Sequence, residues 1–258
     1  MYRVTFLFIV GLLTGALAGC NSAFVNDDTG IRKEQEVDRL AALNTKLGIG
    51  YLREGRTDLA YKRLGKALEI QPNYAGALTA MALLLDSLGK SNEASAHYRR
   101  AVAAAPSDSG ALNNYGSFLC RHGDTEQAIA HFERAASNPL YNAPEAALTN
   151  AGLCLARNGD KAQAEAFFRR ALTKDPKMAP ALISMSELSL SNGRELAGRG
   201  YLQRYLEVAK HTSQSLWLGI QIEHELGDKN AASSYAMLLR ANYPDAPETK
   251  LLLESDIQ

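Results

Sequence analysis

Six glycines stand at nearly equal intervals along this chain: Gly55, Gly89, Gly123, Gly159, Gly193 and Gly227 are separated by 34, 34, 36, 34 and 34 residues. Such a period constrains the fold more than composition does, because each unit must bury its apolar face against its neighbours. The flanking residues keep register. Seven residues before the glycines lie Gly48, Ala82, Gly116, Gly152, Ser186 and Ile220; five after them lie Ala60, Ala94, Ala128, Ala164, Gly198 and Ala232. Nine after are Leu64, Tyr98, Phe132, Phe168, Leu202 and Ala236, and twelve after are Ala67, Ala101, Ala135, Ala171, Tyr205 and Leu239. Pro72, Pro106, Pro176 and Pro244 fall seventeen after their glycines. This is the pattern of two antiparallel helices, A and B. Small residues let the helices approach, the aromatic or leucine fills the gap beside them, and the glycine makes the A-to-B turn, where positive φ is cheap. The proline closes helix B.

The period and the pattern match the tetratricopeptide repeat. The fold expected is all-α, a right-handed superhelical solenoid of six such helix pairs, at 41–74, 75–108, 109–144, 145–178, 179–212 and 213–246. The last two are degenerate, with Gly198, Tyr205, Lys210 and Ile220 off pattern, as suits repeats near the end of a stack. Residues 247–258 are too few for another repeat and read as a capping turn or helix. The two extra residues between repeats 3 and 4 fall in Asn138-Pro139-Leu140-Tyr141-Asn142-Ala143-Pro144, an extended helix-to-helix loop.

The N-terminus sets the compartment. Arg3 is the only charge before Asp27, and Val4 to Leu17 is apolar apart from Thr and Gly. That run is short for a bilayer span and suits a secretory signal. It ends in Leu17-Ala18-Gly19-Cys20, which resembles a bacterial lipobox, so residues 1–19 read as a lipoprotein signal peptide and Cys20 as the acylated residue. Several acyl chains there anchor almost irreversibly. An uncleaved helix anchor and a simple signal peptide are the alternatives. Asn21 stands where an aspartate would often signal inner-membrane retention, so the resemblance points to an outer-membrane lipoprotein facing the periplasm. Residues 20–40 make up the lipidated end, a polar tether and a leading helix that starts near Ile31.

The chemistry expected is binding. With 28 basic and 28 acidic residues the formal charge is zero, which offers nucleic acid no electrostatic footing. Gly89-Lys90-Ser91 looks like the tail of a phosphate loop, but Leu84 stands where its first glycine should be. Consecutive helical residues Glu223-His224-Glu225 point in different directions. His97 and His131 share one register position and read as exposed helix-B surface. No H-E-x-x-H, G-x-S-x-G or His₂Cys arrangement occurs, so neither an enzyme, a metal, a small-molecule substrate nor a cofactor is expected, beyond the covalent lipid on Cys20.

Cys120 and Cys154 lie in the A helices of adjacent repeats, which pack side by side. In an oxidising periplasm the two thiols close into a disulfide if their Cα atoms come within about 7 Å. The alternative is two independent cysteines acting as small apolar fillers.

In tetratricopeptide proteins helix-A positions 2, 5, 9, 12 and 13 line the concave face that holds peptides. Here those positions bring Thr45, Ile49, Leu52 and Arg53 from repeat 1, and Thr79, Leu83 and Asp86 from repeat 2. Asn113, Ser117 and Arg121 follow from repeat 3, Thr149, Leu153 and Arg157 from repeat 4, and Trp217, Gln221 and His224 from repeat 6. The N-terminal end is apolar, which marks a partner site, unless Ile49, Leu52 and Leu83 are covered by the 31–40 helix or pack between repeats.

The lipobox, the six repeats and the stretches NNYGSFLC (113–120), NPLYNAP (138–144) and NAGLC (150–154) together resemble the type IV pilus biogenesis lipoproteins, the pilotins of the pilus secretin. The resemblance spans nearly the whole chain. It implies an outer-membrane lipoprotein that binds the secretin subunit and promotes its localisation and multimerisation, with pilus assembly and twitching motility downstream. It carries over Cys20 as the anchor and the Cys120/Cys154 pair. The competing reading is a periplasm-facing scaffold of another envelope pathway, peptidoglycan synthesis or outer-membrane protein assembly, because the repeat alone serves many partners.

Overall fold

The computed structural model describes residues 28–255, so the apolar leader and Cys20 lie outside the described residues. Those residues form thirteen α-helices and no strand. Six antiparallel pairs follow one another: α1 (Asp28–Arg53) with α2 (Thr57–Ile70), α3 (Ala75–Ser87) with α4 (Ser91–Ala104), and α5 (Ser109–Arg121) with α6 (Thr125–Ser137). Then come α7 (Pro144–Arg157) with α8 (Lys161–Lys174), α9 (Ala179–Ser191) with α10 (Glu195–Leu206), and α11 (Ser213–Glu225) with α12 (Lys229–Asn242). The short α13 (Pro247–Glu254) closes the stack. The odd-numbered helices touch one another from α1 to α11, whereas the even-numbered ones do not, which puts the A helices on the tighter, concave side. The chain is a tetratricopeptide solenoid.

All six ruler glycines have positive φ, from 66° to 87°. At each, the next residue's N–H reaches back five residues to a helix-A carbonyl, as from Lys90 to Leu85 (2.8 Å) and from Asp124 to Leu119 (2.9 Å). This Schellman closure satisfies carbonyls that the helix end would leave unpaired. At three turns the following residue is an aspartate that also starts helix B: Asp124, Asp160 and Asp228 accept the backbone N–H groups of Gln127, Gln163 and Ala231.

Packing between A and B rests on size matching. A Cβ on Gly48 would fall 2.6 Å from Leu64, and one on Gly152 would fall 2.6 Å from Phe168, so only glycine fits under those side chains. The degenerate repeats depart from this pairing in two ways. In the sixth, large Ile220 faces inward on helix A and small Ala236 stands where the other repeats carry the large residue; Ile220 is fully buried. In the fifth, Ser186 replaces the small apolar residue, and its hydroxyl donates to the Gly198 carbonyl (2.8 Å), which satisfies it inside the core.

A second link ties the repeats together outside the core. Arg100, Arg134 and Arg204, at one register position of helix B, donate to the carbonyls of Pro72, Pro106 and Pro176, each 28 residues earlier. Arg170 holds the same position, but the two-residue insertion leaves Asn142 rather than a proline 28 residues before it. It pairs instead with Glu133 (2.9 Å). The insertion itself is ordered by Asn138, whose amide donates to Ser107 O and Ser109 Oγ while its oxygen accepts the Leu140 N–H.

Three expectations need correction. The leading segment is not a separate helix over 31–40; it is continuous with helix A of repeat 1, and no proline interrupts 28–53. For the same reason it cannot fold back over the groove. His97 and His131 are not exposed helix-B surface but half-buried. The ring of His131 packs 4.8 Å from that of Tyr115, because this side of helix B faces an A helix and not solvent.

Candidate partner-binding face

The concave A-helix face divides the expected residues into three groups. Ile49, Leu52 and Leu83 are half-buried: one side packs on the main core while the other stays open, so the packing between repeats narrows the apolar strip without closing it. Leu153 continues the strip and is exposed, as are Arg53, Arg121 and Arg157. Trp217 and Gln221 are half-buried and His224 is exposed at the far end.

Thr45 and Thr79 do not line the face, and neither does Thr149; all three are buried. A threonine side chain is too short to emerge between neighbouring A helices. The hydroxyls of Thr45 and Thr149 turn back to their own helix, donating to the carbonyls of Ala41 (2.8 Å) and Glu145 (2.7 Å). These residues belong to the packing between repeats.

The polar positions are brought together across helices. Arg121 donates to Asp86 (2.6 Å) and the His122 Nε2 lies 2.9 Å from the other carboxylate oxygen, so α3 is tied to the end of α5. Burial pushes the Asp86 carboxyl up, but the hydrogen bonds from His122 and Arg121 and their positive charge outweigh it and hold the group below its ordinary range. Asn113 accepts from the amide of Asn150 (3.0 Å), joining α5 to α7; Ser117 donates to the carbonyl of Asn113 (2.9 Å). Two steps away, Cys120 and Cys154 are joined by a disulfide with their Cα atoms 5.8 Å apart. The bridge links α5 to α7 across the junction that carries the insertion.

Among the described residues no group of three or more His, Cys, Asp or Glu is placed to hold a metal, and no helix is long and apolar enough to cross a membrane. Glu223, central in the Glu-His-Glu run, is buried and paired with Arg199 between α11 and α10. That is a structural ion pair.

Sequence reasoning missed a second apolar surface. Leu40, Leu43 and Leu47 run along the outer side of α1 and are 43%, 52% and 39% exposed. They recur at i, i+3 and i+7, one stripe of a helix. Below them Gln35, Glu36 and Arg39 join Leu40 and Leu43 in lining a crevice of about 530 Å³. The readable signal was the register: twelve residues before the later ruler glycines stand Ala77, Ala111, Ala147, Ala181 and Ser215, where repeat 1 has the much larger Leu43.

The profile of the tetratricopeptide repeat family matches residues 79–142 and 121–179. The type IV pilus assembly protein PilF of Pseudomonas aeruginosa is 29% identical over 240 residues, which cover 93% of this chain and 94% of that protein. Among solved structures, that of Pseudomonas aeruginosa PilF superposes with a TM-score of 0.76 at 28% identity, covering 85% of this chain and all of that one. The structure of PilW, described as a widely conserved type IV pilus biogenesis factor, gives 0.75 at 28% identity, with 83% and 98% covered. The chain is therefore a tetratricopeptide-repeat protein related to type IV pilus assembly proteins.

Proposed function

We propose that this relative of PilF and PilW is a lipid-anchored scaffold of type IV pilus biogenesis, which binds the pilus secretin subunit and promotes its localisation and multimerisation in the outer membrane. The observation that carries the reading is the collinear similarity to PilF over nearly the full length of both chains. A shared repeat alone would leave the pathway open. The lipobox ending at Cys20 supplies the anchor, and Asn21 directs it to the outer membrane, facing the periplasm.

The mechanism is a tether joined to a grip. Lipid confines the solenoid to the membrane surface, and any secretin segment it holds is concentrated there, so that subunits meet at a raised effective concentration. The grip is the open side of Ile49, Leu52, Leu83 and Leu153, flanked by arginines. Binding there removes apolar surface from water, at about 25 cal/mol per Å² before the costs of association. No bond in the partner is made or broken, and the scaffold needs no catalytic group.

Changing Cys20 to serine separates the two halves. The expected result is a protein that still captures the secretin subunit, with secretin multimers scarce or in the wrong membrane. Normal outer-membrane multimers in the Cys20→Ser strain would refute the tether.

A further inference from the structure

The concave face changes sign along the stack. The last-turn position of the A helices carries Arg53, Arg121 and Arg157 in repeats 1, 3 and 4, but Ser191 and Glu225 in repeats 5 and 6. One turn earlier, the position that supplies Ile49, Leu83 and Leu153 to the apolar strip carries Glu187 in repeat 5. Helix α9 packs beside α7, so Glu187 follows Leu153 along the groove. Nothing in the fold calls for a charge there. The side chain is exposed, and Gln221 stands at the same position one repeat later. Three other enclosed carboxylates are each held by arginine: Asp86 by Arg121, Glu165 by Arg169 and Arg194, and Glu223 by Arg199. Glu187 has no such partner among the described residues. The curved wall around it desolvates the carboxyl and pushes it above its ordinary range, with no cation or hydrogen bond to offset the effect.

We infer that the partner segment held along the concave strip carries a lysine or arginine that pairs with Glu187, one repeat beyond its apolar contact with Leu153, and so lies in the groove in one direction. The inference rests on the scaffold reading above and adds the charge pattern of what is held. Charge complementarity fixes that pattern: basic at Glu187, acidic or neutral where Arg157 stands. Turned end for end, the segment would set its basic residue against Arg157 and leave Glu187 unpaired, and such like-charge contacts reject the wrong arrangement. Low-dielectric walls on either side of the groove strengthen the pairing over one on an open surface. The spacing is set by the helices. Neighbouring A helices lie about 10 Å apart, which is about three residues of extended chain or about seven of helix. The basic residue therefore stands about three to seven residues from the one that touches Leu153.

The test uses the full lipidated chain in pilus-forming cells. The photo-crosslinking residue benzoylphenylalanine at position 153 identifies the segment in the groove, and affinity capture then measures recovery of that protein by the Glu187→Lys and Glu187→Gln variants. The adduct peptide is expected to hold a lysine or arginine within about seven residues of the crosslinked one. Glu187→Lys should lower recovery by about tenfold or more and Glu187→Gln by about threefold, both with unchanged helical circular dichroism because the side chain is exposed. Wild-type recovery should fall more steeply than that of Glu187→Gln between about 0.05 and 0.5 M NaCl. Changing the partner's basic residue to glutamate should restore recovery by Glu187→Lys, a result that loss of folding could not produce. No adduct at position 153, an adduct peptide without a basic residue in that span, or unchanged recovery by Glu187→Lys would overturn the inference. The two readings fail separately. An adduct with a protein other than the secretin, rescued by the charge exchange, keeps the pairing and sinks the proposed function; secretin recovered normally by Glu187→Lys does the reverse.

Discussion

Phe168 lies directly over Gly152, its ring so close that a methyl group on the glycine would stand 2.6–2.9 Å from three ring carbons. Neither residue is interpretable alone. The glycine, a poor helix former, occupies the middle of α7 because the aromatic from α8 needs its missing side chain.

Gly152→Ala should therefore destabilise the protein although alanine favours helices. Overpacking costs about 1–3 kcal/mol and the helix gain returns ~1, which leaves a net loss of up to about 2 kcal/mol and a fall in Tm of up to about 8 °C. Gly65 supplies the control. It sits within α2 with nothing inside 4 Å of its missing Cβ, so Gly65→Ala should leave Tm unchanged or raise it. Thermal melts of the two variants check both signs.

The Cys120–Cys154 bridge closes a loop of 34 residues. On the chain-entropy estimate that is worth about 3–4 kcal/mol, so reduction should lower Tm by roughly 6–16 °C. Protein carrying Cys20→Ser, denatured without reductant, should show no reactive thiol. Two titratable thiols per chain would mean the bridge does not form in the envelope.

Acid should weaken the stack through two histidines. Burial lowers the affinity of His97 and His131 for a proton, and Arg100 and Arg134 lower it further, while Glu93 and Asp124 act in the opposite sense. A folded pKa below the unfolded value means the unfolded chain binds more protons, so the contribution is complete above about pH 6.5 and is lost as pH falls below it. Tm should decline from pH 7.5 to 5.5, and the double variant His97→Gln/His131→Gln should flatten that decline. An equal slope in both proteins would place the pH dependence elsewhere.

The concave strip predicts a separable binding defect. Leu52→Glu or Ile49→Glu should reduce partner recovery at least tenfold, with the helical signal retained because each side chain already has one face in water. Recovery equal to wild type in both variants would remove the strip from the binding surface.

The fold was legible because its cause is local and repeated. A glycine at each A-to-B turn, a small residue beneath each large one and a proline in register after four of the six B helices can be counted without coordinates, and the six positive φ values stand at the six counted glycines. The binding face was legible only in outline. Thr45 and Thr79 occupy the right register yet are buried, because the distance between neighbouring A helices depends on the whole stack. His97 and His131 were misplaced on the same ground. The stripe Leu40–Leu43–Leu47 was hidden in a different way: one repeat read alone does not show that its neighbour is missing, and that absence is what exposes it.

The most direct measurement of the central claim is affinity capture of the lipidated protein from detergent-solubilised outer membranes, with its bound proteins identified by mass spectrometry. The account predicts the type IV pilus secretin subunit as the principal partner, recovered from the outer-membrane fraction and lost from the Leu52→Glu sample. A capture that yields components of peptidoglycan synthesis or outer-membrane protein assembly, with no secretin above background, would contradict it.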